Sequence, residues 1–158
     1  MSLKGKKEFE NKLDKVLDLA ESTKLWGRIG YQAKDIIIER TKEGKDYQGR
    51  LFKGYSKIPG FFKIGNKTRL LKFGYKEYKR IKGNTKVNLQ DSNQMMSSMA
   101  VKFTGRGATL FFRNTDEAKK AMAHNEGIGR MPKREFFNLS GAEQNKLFDL
   151  FRDELKKI

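Results

Sequence analysis

The sequence predicts an α+β fold: N-terminal helices, a small and mostly antiparallel β-sheet, a C-terminal helix, and a long basic loop or arm between the two halves. Three observations lead there. Apolar residues recur at helical spacing up to about residue 40. After Gly83 the pattern switches to short alternating runs, as strands half-buried on one face require. Near the C-terminus, Ser140 stands three residues before Glu143 and opens a last apolar-striped segment, the signature of a helix start. At 158 residues the chain is long enough for one hydrophobic core and reads as a single domain, 1–158. Its parts are a helical region (1–40), a basic arm (41–86), and a region of sheet plus helices (87–158).

Phe9, Leu13, Val16, Leu17 and Ala20 form one face of a first helix, with Lys and Glu opposite. Ser22-Thr23 marks a break, and Trp26, Ile29, Ala33, Ile36 and Ile37 continue as a second helix to about Arg40. From Thr41 to Lys86 glycines recur every few residues, so loops, turns or short ribbons are expected. Frequent aromatics in that stretch, among them Phe52, Tyr55, Phe61, Phe62, Tyr75 and Tyr78, argue that it orders against something. Lys86–Leu89 reads as a strand, and Asp91 with Gln94 as the cap of a short helix through the Met95-Met96 pair. Met99–Thr104 and Ala108–Arg113 alternate about Gly105-Arg106-Gly107 and read as a hairpin. Asn114 with Glu117 caps a helix to about His124, and Arg134–Leu139 reads as a further strand. The periodicity assigns Leu13, Leu17, Ile29, Ile36, Ile37, Phe103, Phe111, Phe148 and Phe151 to the core or to a permanent subunit interface.

Charge interrupts every apolar run, so no membrane span is expected, and the N-terminal lysines lack the apolar stretch of a secretory leader. Residence in a cytoplasm follows as the expectation. The absence of cysteine excludes a disulfide framework and thiolate metal sites. With one histidine, His124, the chain has few ways to build a nucleophile–base pair or a metal site, and no enzyme activity, cofactor or metal is expected. His124 reads instead as a ring near a helix C-terminus, where a positive charge suits the helix dipole.

The balance of 35 Lys+Arg against 19 Asp+Glu gives a net charge of +16, which favours polyanions or acidic protein surfaces. Much of it lies between Arg50 and Lys86. Arg50, Lys53, Lys57, Lys63, Lys67, Arg69, Lys72, Lys76, Lys79, Arg80 and Lys82 are opposed there by Glu77 alone. Cations interleaved with aromatics suit a nucleic-acid groove, since ammonium and guanidinium groups neutralise phosphates while rings stack on bases. The same composition suits docking to an acidic neighbouring subunit, or a simply solvated loop.

Three blocks carry a family resemblance. The first is Arg40-Thr41, Gly44-Lys45-Asp46, Gly49, Phe52 and Tyr55-Ser56. The second runs from Tyr75 through Val87-Asn88-Leu89 and Asp91 to Met95-Met96 and Ser98-Met99. The third is His124, Gly127, Pro132, Arg134-Glu135-Phe136 and Leu139-Ser140. In this order they resemble the phage virion-morphogenesis family, the neck or tail-completion proteins of long-tailed bacteriophages, from residue 26 to the end. The resemblance implies an α+β structural protein that joins the tail to the head–tail connector. It also implies self-association into a ring, hexameric by that likeness, and partners among adjacent neck and tail proteins such as the head-completion or stopper protein and the tail terminator. Packaged DNA is a further candidate partner, and the implied location is the virion, with the host cytoplasm during assembly. The alternative is a basic nucleic-acid-binding accessory protein of phage origin. The chain departs from the family pattern in two places: Ser92-Asn93 stands where a glycine is usual, and Lys57–Phe73 looks like an insertion.

On physical grounds, Asp46 between Gly44 and Gly49 suits a turn in which the carboxylate bonds the backbone two residues on, with Phe52 and Tyr55 anchoring the loop start. Pro132 holds the residue before it extended and sets the direction of Arg134–Phe137.

Overall fold

The structure is a computed structural model that describes residues 3–129 and 131–158. It has the α+β class expected. Helices α1 (Leu3–Ala20) and α2 (Thr23–Lys42) are followed by a hairpin of β1 (Gly60–Ile64) and β2 (Lys67–Leu71), then α3 (Gly74–Ile81) and α4 (Gln94–Ser98). A second hairpin of β3 (Met99–Thr104) and β4 (Gly107–Phe112) leads to α5 (Thr115–Glu126) and the C-terminal α6 (Gly141–Leu155). Both hairpins are antiparallel and remain separate two-stranded sheets. No helix among the described residues is long and apolar enough to cross a membrane.

Local chemistry sets the helix boundaries. The Ser22 hydroxyl accepts from the Leu25 N–H at the break between α1 and α2, and Asn114 Oδ1 accepts from Asp116 and Glu117 at the start of α5. Ser140 and Glu143 form the reciprocal capping box, the Glu143 carboxylate accepting from the Ser140 N–H at 2.7 Å. The Asp91–Gln94 cap does not form. Asn93, in the left-handed conformation at φ 61°, precedes α4 without a side-chain cap bond, and Asp91 pairs with Lys79 and Lys82.

Helix α2 lies across the β3–β4 hairpin. Gly30 permits this approach: a Cβ there would stand 2.5 Å from Val101 Cγ1 and 2.8 Å from Ala108 Cβ. The register pairs Met99 with Phe112 and Val101 with Leu110, and paired residues share a face. That face joins Ile37, Phe52, Leu89, Met95, Met96, Ala121 and Phe136 in the core. Phe111 falls on the opposite face and is exposed, as the period of two dictates. Phe103 has the right face but sits at the hairpin tip, beside Gly27 and edge-on to Tyr31, and remains exposed.

Two expected strands are absent. Residues 86–89 and 134–139 run irregularly. In the second segment side chains do the work of a ladder. Arg40 Nη2 donates to the carbonyls of Phe136 (2.6 Å) and Asn138 (2.7 Å), Asn125 Oδ1 accepts from the Phe137 N–H, and the Tyr47 N–H donates to the Glu135 carbonyl. With its polar backbone met in this way, the segment gains nothing from joining a sheet.

Of the expected core residues, Ile37 is fully buried, and Ile29, Ile36 and Phe151 are half-buried. Leu13, Leu17 and Phe148 are exposed in the single chain along with Phe103 and Phe111, Phe148 at the rim of an open groove beside α2. The sequence missed Phe136, which is 0% exposed. Phe136→Ala should destabilise the chain by about 3–5 kcal/mol, whereas Phe148→Ala should change the stability of the unassociated chain by under about 1 kcal/mol. Urea unfolding of both variants at low concentration checks the assignment, and equal losses would refute it.

Candidate functional site

The three resemblance blocks, distant in sequence, meet in space. In the first, Gly44 has φ 79°, and a Cβ there would meet the Val87 carbonyl oxygen at 2.8 Å, so the backbone of the second block passes too close for a side chain. Asp46 Oδ1 accepts from the N–H groups of Gln48 and Arg50, both at 2.9 Å, and Oδ2 from Arg50 Nε at 2.8 Å. This is the expected turn closed by its own aspartate. Burial opposes ionisation of Asp46, but the side-chain and backbone bonds from Arg50 and the Gln48 N–H outweigh it and hold the carboxyl below the usual range. Gly49 turns the chain back with φ 80°, and Phe52 enters the core beside Leu89 and Met96 of the second block and Phe136 of the third.

Arg134 locks the first block to the third. Its Nε and Nη2 donate to the Lys53 carbonyl, Nη2 also donates to the Gly54 carbonyl, and its guanidinium carbon lies 5.6 Å from the Tyr55 ring centroid. Arg134 Nη1 stands 3.4 Å from His124 Nδ1, and the Arg134 N–H donates to the His124 carbonyl. A cation beside a half-buried ring corrects the reading of His124 as positively charged. Burial, reinforced by the Arg134 charge, pushes the imidazole down to about 4. Tyr55, Ser56, Tyr75, Leu89, Asp91, His124, Pro132 and Arg134 line a cavity of about 620 Å³. Leu89 holds a left-handed backbone, φ 54°, unusual for a branched residue.

The arm is ordered. Hairpin β1–β2 packs chiefly on α3, a helix the sequence reading did not anticipate, through Phe62, which stacks on Tyr78 at 5.3 Å and tilts against Tyr75 at 6.1 Å. Tyr55 meets Tyr75 edge-on at 5.1 Å, which joins this unit to the body, and the Ser56 carbonyl accepts from the Lys76 N–H. The aromatics expected to order the segment thus order it largely against one another.

The basic residues divide into two groups. Lys79 is withdrawn from any contact surface: it is 2% exposed, donates to the Gln90 carbonyl at 2.6 Å and lies 3.6 Å from Asp91. Lys82 bonds Asp91 and covers the Tyr78 ring, and Arg50 is taken up by Asp46. Lys53, Lys57, Lys63, Lys67, Arg69, Lys72, Lys76 and Arg80 are exposed and form no ion pair among the described residues. The pairing of Phe61 with Leu70 and of Lys63 with Thr68 sets these four on one face of the hairpin, where Phe61 and Leu70 are both exposed. Among the described residues no group of three His, Cys, Asp or Glu side chains could hold a metal ion.

The unfolded chain takes up the histidine proton near its ordinary value of about 6.5, whereas the folded chain does so only near 4. Stability is therefore fully present above that window and is lost as the pH falls through it. With one histidine in the chain, a proton NMR titration reads the site directly. The ring should still be neutral at about pH 5.5, and a midpoint near the ordinary value would show that it is solvated. No protein-family model, no curated protein and no solved structure matches the chain.

Proposed function

We propose that the protein is a non-enzymatic structural component of a tailed-phage virion, a neck or tail-completion protein that joins the tail to the head connector within an oligomeric ring. The observation that carries this reading is the convergence of the three resemblance blocks on one core. Phe52, Leu89, Met96 and Phe136 pack together, and Arg134 clamps the backbone at 53 and 54. Residues used in this way specify a fold and leave the outer surfaces free for assembly. Asn93 lends further support, because it holds a left-handed backbone at the position where the family pattern has glycine, and asparagine tolerates that conformation better than most residues.

A second reading, a nucleic-acid-binding accessory protein, is favoured by the unpaired cations of the hairpin and by the exposed rings of Phe61 and Phe73. Salt dependence separates the two. Binding through many phosphate contacts weakens by about 10³–10⁵ between roughly 50 and 200 mM salt. We expect the triple charge reversal Lys63→Glu, Lys67→Glu, Arg69→Glu to leave the chain folded and to block the joining of tails to heads, with purified duplex DNA bound only weakly by the unmodified protein. Tight, salt-steep DNA binding by a monomer, together with normal joining by the charge-reversed variant, would instead establish the second reading.

A further inference from the structure

Helix α1 is the least supported element of the fold. From Lys6 to Lys15 every residue is exposed, a length of about 15 Å with no tertiary packing. An isolated helix shorter than about 12–15 residues is marginal in water, so this stretch needs a surface to lie on. Its apolar stripe is in place: Phe9, Leu13 and Leu17 are 59, 47 and 55% exposed. The C-terminal turns of the helix meet the body: Val16, Leu19 and Ala20 are half-buried, α1 touches α6, and Trp26 Nε1 donates to the Ala20 carbonyl at 2.9 Å.

Next to that contact lies an open groove of about 450 Å³ between α2 and α6, lined almost wholly by apolar side chains, among them Trp26, Ile29, Leu147, Phe148 and Phe151. Within one chain the stripe of α1 does not fill it, and Phe148 remains 61% exposed. One molecule therefore carries an unpartnered apolar helix and an unpartnered groove on adjacent surfaces, and neither satisfies the other.

Charge identifies the occupant. The chain as a whole repels its copies at +16. From Leu3 to Ala20, however, five lysines stand against four carboxylates, and from Gly141 to Ile158 four cations stand against four carboxylates. The terminal helices are thus nearly charge-balanced on a strongly basic protein, and a second copy meets little repulsion there. Across one joint, Phe9, Leu13 and Leu17 of the helix and Phe148 and Leu155 of the groove side expose on the order of 400 Å² of apolar area over both partners, roughly half the non-polar share of a standard interface of about 1,600 Å².

We propose that α1 of one copy seats its Phe9–Leu13–Leu17 stripe in the α2–α6 groove of the next copy, a head-to-tail contact. The inference rests on the ring reading and names the joint of that ring. A helix and a groove at different places on one molecule make a heterologous interface, which generates a ring when the rotation closes.

The test is sedimentation velocity on the full chain, with Leu13→Glu spoiling the helix and Phe148→Glu spoiling the groove. Both positions are solvent-facing, and circular dichroism verifies that the variants stay folded. The unmodified chain should form a discrete oligomer, and each variant alone should dissociate, with the apparent Kd weakened at least about thirtyfold. Mixed in equal amounts, the variants should recover a dimer and nothing larger, because one helix and one groove remain intact between them. Leu17→Glu, on the same face, should repeat the result for Leu13. Assembly of the single variants like the unmodified chain would overturn the joint and leave the ring standing. Failure of the mixture to recover dimer would show a symmetric contact instead. A chain that sediments as a monomer at every concentration would also overturn the inference, while the wider reading would still be decided separately by head–tail joining.

Discussion

The guanidinium of Arg40 is the constraint on which the rest of the architecture hangs. It leaves α2 at 8% exposure, pairs with the Glu143 carboxylate of α6 and donates to the carbonyls of Phe136 and Asn138. One planar group thus ties α2 to two neighbouring pieces of chain about a hundred residues further on, its geometry suiting several acceptors at once. Burying such a charge costs desolvation that the pairing only partly offsets. Its contribution is therefore position more than net stability: it sets the extended segment across the core so that Phe136 is fully enclosed.

The same physics recurs at Arg134 and Lys79. Each places a cation inside the protein and meets it mainly with backbone carbonyls, those of Lys53 and Gly54 for Arg134 and that of Gln90 for Lys79. Irregular segments then need no sheet to satisfy them, since long basic side chains reach the carbonyls that a neighbouring strand would otherwise bond. His124 is drawn into this arrangement: its ring stays neutral because burial disfavours the charged form and the permanent cation of Arg134 beside it adds to that. A chain this basic thus spends part of its charge on construction and leaves other cations exposed on and around the β1–β2 hairpin, among them Lys57, Lys63, Lys67, Arg69 and Lys72. The exposed surface thus differs in chemistry from place to place, cationic around the hairpin and apolar along α1 and beside α6.

What the sequence determined by itself was much of what local rules govern, although the Asp91–Gln94 cap did not form and α3 was not foreseen. The α+β class, the break at Ser22, the capping box of Ser140 and Glu143, the β3–β4 hairpin and the turn closed by Asp46 all depend on residues within a few positions of one another. The tertiary structure decided what depends on partners far along the chain. Residues 134–139 look like a strand by composition but are bonded by side chains from α2 and α5. The period of two could not say which face of β4 would meet α2, so Phe111 was expected in the core in place of Phe112. Among the basic residues, the pattern could not separate the buried Lys79 and the ring-covering Lys82, both paired with Asp91, from Lys63 and Arg69 in solvent. Helical periodicity likewise supplies an apolar stripe on α1 without saying what it faces, because amphipathicity is a property of one element and burial is a property of two.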